Sequence, residues 1–158
     1  MKKIKNIGLL LFLILSTLSF SYQVNYDDMV DIVLRNYPQS RVTKIEISNY
    51  KGKTVYEGET FNKGQKIEFI IDVNTGEVYK MDPNYDDEYN PSYNLPITFE
   101  QASRIALDNS FNGKVKSIEL KNIDKKAYYT VEVKEDKSEK EINIDANSGK
   151  ILNIKESM

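Results

Sequence analysis

The chain has 158 residues, and neither histidine nor cysteine is among them. Histidine is the usual general base near neutral pH, and imidazoles and thiolates are the usual zinc ligands. Thiol nucleophiles, histidine-activated serines and structural zinc sites are therefore closed to this sequence. Carboxylate acid-base chemistry remains open, but no serine stands in a Gly-x-Ser-x-Gly context. Asp82, Asn84 and Asp86 alternate as the first ligands of a calcium loop do. The sixth position is Asp87 where glycine is needed, and the twelfth is Tyr93 where glutamate is needed, so the EF-hand reading fails. Weak calcium or ligand binding ranks third among the functions considered. No metal ligand set, cofactor or catalytic residue is expected.

Two other groups of residues carry chemical meaning. Asp72 and Asp145 each precede an asparagine by two positions and a glycine, Gly76 or Gly149, by four. An aspartate there accepts hydrogen bonds from turn amides and a glycine supplies a positive φ, so these four read as structural turn residues. Tyr85, Tyr89 and Tyr93 surround Asp86, Asp87 and Glu88. Tyrosine offers a large contact area with a polar tip, so these six form a candidate anchor for a basic peptide or protein.

The elements that must position these residues begin after an amino-terminal segment. Lys2, Lys3 and Lys5 precede an apolar run from Leu9 to Leu15 and the small-residue pattern Ser19-Phe20-Ser21. That is the form of a signal peptide over residues 1–21, and its apolar stretch is shorter than the roughly 20 residues needed to span a bilayer. The expected destination is the periplasm or the external medium, without stable membrane insertion after cleavage. Removing 1–21 takes away three lysines and no acids. The 22 basic residues of the chain then fall to 19 against 24 acidic ones, a net charge of about −5. Nucleic acid is a poor partner for such a surface.

The remainder aligns with itself at an offset of 73 residues without a gap, from Asn25 opposite Thr98 to Met81 opposite Ile154. Each copy opens on a capped helix. Thr98 with Gln101 has the form of a capping box, Asn25 with Asp28 is its equivalent, and apolar residues follow at helical spacing up to Pro38 or Gly113. The period then becomes two: Ile118 and Leu120, then Tyr129, Val131 and Val133, then Ile142 and Ile144 mark half-buried antiparallel strands. Gly58 stands where the second copy has Val131, which predicts a weaker or bulged middle strand. Lys116, Lys121, Glu132, Lys134, Lys140 and Glu141 are expected on the solvated face.

The expected fold is α+β: two repeated modules, each one helix packed on an antiparallel sheet of three to four strands in the order α-β-β-β-β. The boundaries are 22–81 and 97–158, joined by an acidic Pro/Tyr linker over 82–96. At this size a module buries only about 60% of its unfolded surface, so the copies are free to pack together or share a sheet.

The run Thr98-Phe99-Glu100-Gln101-Ala102, the strand Tyr128-Tyr129-Thr130-Val131-Glu132-Val133 and the ending Ile142-Asn143-Ile144-Asp145-Ala146-Asn147-Ser148-Gly149 resemble the PepSY domain. The resemblance covers nearly all of 97–155 and extends through the repeat to 24–81. It departs at Pro38-Gln39-Ser40, where a glycine turn is usual. It implies an extracytoplasmic, non-catalytic, protein-binding module, with a peptidase among the candidate partners and restraint of that peptidase as the expected effect. The alternative is a structural or assembly accessory of the cell envelope.

Overall fold

The computed structural model describes residues 23–84, 95–123 and 126–157; the expected export segment 1–21 lies outside them. Module 1 contains α1 (Tyr26–Asn36), β1 (Arg41–Tyr50), β2 (Lys53–Asn62), β3 (Gln65–Asp72) and β4 (Val78–Asn84). Module 2 contains α2 (Phe99–Asp108), β5 (Lys114–Ile123), β6 (Lys126–Lys134), β7 (Glu139–Asp145) and β8 (Ile151–Ser157). β4 runs through Pro83 to Asn84, inside the stretch read as linker.

Both helices start where their caps direct. The Asn25 side chain accepts from the Asp28 amide at 2.9 Å, and Asp28 accepts from the Asn25 amide at 3.2 Å. Thr98 and Gln101 make the equivalent exchange at 3.2 and 2.9 Å. Each box satisfies two amides that have no partner within the helix. The helices end at Asn36 and Asp108, short of Pro38 and Gly113. The chain then reverses through Gln39 and Asn112, equivalent positions with φ of 68° and 51°.

The strands do not make one sheet of three to four strands per module; of the two arrangements open to the copies, they share a sheet. They form one antiparallel sheet in the order β4-β3-β2-β1-β5-β6-β7-β8. The two modules meet where β1 pairs with β5: Lys44 opposite Glu119, Ile45 opposite Ile118 and Glu46 opposite Ser117. Ile45 and Ile118 are repeat equivalents, so a local two-fold axis passes between them. The inward residues of both modules, among them Met29, Val33, Ile45, Ile71, Ala102, Ala106, Ile118, Ile142 and Ile144, belong to one core cluster. Neither half could bury that much apolar surface alone, at about 1.5–3 kcal/mol for each large side chain. The shared core is the physical reason for the continuous sheet.

Two other expectations need correction. β2 is not bulged at Gly58: it runs for ten residues, with Gly58 paired to Ile45 on one side and Phe69 on the other. The irregularity is in β1, where Thr43 is inserted between Val42 and Lys44, and it recurs at Lys116 in β5. Lys140 is not part of the solvated face either. It lies opposite the inward Val133, its ammonium is 2.9 Å from Glu135, and both side chains are largely buried. Glu135 also accepts from the Phe111 amide at 2.8 Å, so this ion pair holds the chain as it leaves α2.

Candidate functional site

The amino termini of the two helices meet at the local two-fold axis. Two such termini, each carrying a partial positive charge, repel each other unless anions lie between them. Asp27, one residue into α1, accepts from the Thr98 hydroxyl at 3.2 Å. Its repeat equivalent Glu100 reaches the other way and accepts from the Tyr26 amide at 3.4 Å, while also pairing with Arg104 at 3.1 Å. Each helix therefore lends a carboxylate to the start of the other.

The chain entering each helix is held from below. Tyr56 donates to the Val24 carbonyl at 2.7 Å, and its equivalent Tyr129 donates to the Ile97 carbonyl at 2.8 Å. The Tyr56 ring lies against Tyr26 and the Tyr129 ring against Phe99, with centroids 5.2 and 5.0 Å apart. Burial, with Glu100 and Asp28 nearby, pushes the Tyr56 phenol up to about 12. Burial raises Tyr26 and Tyr129 as well.

Beside this arrangement a cleft of about 470 Å³ opens between α1 and the approach to α2. Val30 and Leu34 come from α1, Leu95 and Ile97 from the segment before α2, and Leu120 from the sheet. Asp27, Asp31, Ser40 and Arg41 supply its polar groups. The Ser40 hydroxyl oxygen is buried and has no hydrogen-bond partner among the described residues. By repeat equivalence the matching position beside α2 carries Leu107 and Ile47, and both are exposed.

The turn residues sit as follows. One oxygen of Asp72 accepts from the amides of Asn74 and Thr75 at 2.8 and 3.0 Å, and Gly76 has a φ of 71°. Asp145 accepts from Asn147 and Ser148 at 3.0 and 2.8 Å, and Gly149 has a φ of 72°. The Tyr79 hydroxyl on Asp72 and the Ser148 hydroxyl on Asp145 lead the groups that hold these carboxyls below their usual range.

Tyr85, Asp86, Asp87, Glu88, Tyr89 and Tyr93 lie outside the described residues. Among the described residues no group of three or more acids could hold a metal ion, and no helix is long and apolar enough to cross a membrane. Ser48 and Lys51 have Ser-x-x-Lys spacing, the one arrangement in the sequence open to a serine–lysine pair. Ser48 lies on a strand and Lys51 in the following turn, with its ammonium 4.8 Å from the centre of the Tyr50 ring.

The cleft itself was missed from sequence, although Leu34 and Leu120 lie in repeat-equivalent places to Leu107 and Ile47 and so marked a shared surface. Residues 23–82 and 96–155 match the family described as "Peptidase propeptide and YPEB domain". No curated protein matches the chain. A crystal structure of a candidate lipoprotein from Clostridium difficile 630 is similar, with a TM-score of 0.63 and 24% identity over 86% of this chain and 95% of that one. The Bacillus megaterium YpeB C-terminal domain aligns over 85% of this chain and 66% of its own, with 14% identity and a TM-score of 0.35.

Proposed function

The chain belongs to the PepSY family, and from that premise we propose that it works outside the cytoplasm as a non-catalytic module that holds a protein or peptide partner in the cleft beside α1. The observation that carries this reading is the composition of the cleft. Val30, Leu34, Leu95 and Leu120 offer an apolar seat, and the Asp27 and Asp31 carboxylates stand with it, outnumbering the single Arg41 guanidinium. A partner supplying one apolar side chain flanked by a basic one fits both features. The family's description as a peptidase propeptide domain makes an extracytoplasmic peptidase the first partner class to test, with slowed proteolysis as the expected effect. The basic and apolar amino-terminal segment supports export.

The test is a pull-down from the extracytoplasmic fraction of the native cell, using the chain from Tyr22 onward as bait, with a protease assay on whatever is retained. A retained peptidase that is slowed by the bait, and that is lost with the Leu34→Glu and Asp31→Lys variants, is the expected result. Equal retention by both variants would remove the cleft from the proposal. Retention of envelope assembly proteins alone, with no effect on proteolysis, would replace the restraining role with a structural one.

A further inference from the structure

An open sheet has two edges, and here they are the repeat-equivalent strands β4 and β8. They are finished differently. On β4, Pro83 has no N–H to offer a neighbour, and the Tyr37 hydroxyl covers the Met81 carbonyl at 3.4 Å. On β8 the equivalent of Pro83 is Glu156, which keeps its amide, and the equivalent of Tyr37 is Ser110, whose hydroxyl turns back to the Ala106 carbonyl. Met81 packs on the core, whereas its equivalent Ile154 is 43% exposed and Leu152 beside it is 55% exposed. An edge that no described residue blocks, bearing apolar side chains, is a template for another strand.

We propose that β8 pairs with β8 of a second copy of this chain, antiparallel and centred on Ile154. The charges and the bulge at Leu152 select this register, since centring on Asn153 would force the bulged Leu152 into the ladder opposite Ile154. Centring the pair on Lys155 would set two ammonium groups opposite each other, and centring it on Glu156 would do the same with two carboxylates, both destabilising. Centring on Ile154 sets Ile154 against itself, with Asn153 opposite Lys155 of the second copy on either side. The molecule already contains this arrangement at its own seam, where Ile45 faces Ile118 on a local two-fold, three residue pairs form, and bulged residues lie beside them at Thr43 and Lys116. β8 offers the same three pairs, bounded by its own bulge at Leu152. The product is a sixteen-stranded sheet with all four helices on one face. Three pairs without helix contacts make a small interface, so the dimer is a weak, concentration-dependent one.

The absence of cysteine makes this directly testable in the full chain recovered after export. Facing Cβ atoms in such a pair lie close to the separation that a disulfide needs, so Ile154→Cys is expected to cross-link about 10-fold faster than Asn153→Cys or Glu156→Cys. Sedimentation of the unaltered chain is expected to show a dimer that grows with concentration. Ile154→Lys should abolish it and leave the melting temperature unchanged. Equal cross-linking rates at the three positions, a monomer across the whole concentration range, or a dimer that survives Ile154→Lys would each overturn the proposal.

Discussion

Where module 2 sets Val131 against Ile142, module 1 sets Gly58 against Phe69. A Cβ added to Gly58 would lie 2.6 Å from the tip of the Phe69 ring, so the ring occupies the space that the valine fills in the other copy. The two cores conserve volume across a strand pair rather than residue identity, and this explains how a glycine sits in an unbroken ten-residue strand. The exchange is not free of side effects. The same Cβ would lie 2.1 Å from the Lys44 carbonyl, so β1 approaches β2 more closely in module 1 than a side chain permits.

This comparison can be broken most severely at Gly58. Gly58→Ala is expected to cost at least about 3 kcal/mol in chemical denaturation, because the backbone contact leaves the methyl group no escape. Adding Phe69→Ile should recover only a minor part, since the ring is the lesser obstruction. Full recovery would show that the ring alone excludes the side chain and would dissolve the distinction between the two strands.

The tyrosines provide the next test, and here the modules should behave alike. Tyr56→Phe and Tyr129→Phe each leave a helix-entry carbonyl without its donor, at about 1–2 kcal/mol apiece. The pH dependence has a definite sign. Tyr56 ionises near 12 when folded and near 10 when unfolded. Its contribution is therefore complete below about pH 10 and is lost as pH rises from 10 toward 12. Thermal melts across that window should track tyrosinate absorbance, and Tyr56→Phe should flatten the decline.

A smaller effect is expected at the crossed carboxylates. Asp27→Asn and Glu100→Gln should each cost about 0.5–1 kcal/mol, and the double variant should depart from the sum, because both relieve the same meeting of helix termini. Strict additivity in a double-mutant cycle would make them two independent caps. The smallest effect is a gain. Gln39 holds a positive φ that its side chain disfavours, so Gln39→Gly is expected to raise stability by about 0.5–1 kcal/mol, while Asn112→Gly should change little because asparagine tolerates that conformation.

Much of this was legible in the sequence and some was not, for identifiable reasons. Helix caps and turns are local, so Thr98 with Gln101 and Asp145 with Gly149 could be read from spacing alone. The repeat offset placed Ile45 on Ile118, but equivalence does not say that two strands touch. That pairing depends on how much core each half lacks, which is a property of the whole chain. Lys140 was misplaced because its charge was read as exposure, although it shares strand parity with Ile142 and Ile144. Gly58 was read as a weakness because its compensating partner, Phe69, lies eleven residues away. The cleft joins α1 to the segment before α2, some sixty residues later, and no periodicity in one element marks such a junction.

The seam between β1 and β5 rests on three residue pairs and two crossed carboxylates, over a core to which both modules contribute. In a separate module β1 or β5 would be an outer strand with a row of unpaired backbone groups, and here each strand covers the other. Doubling the module in one sheet therefore leaves two edges to protect where two separate sheets would leave four.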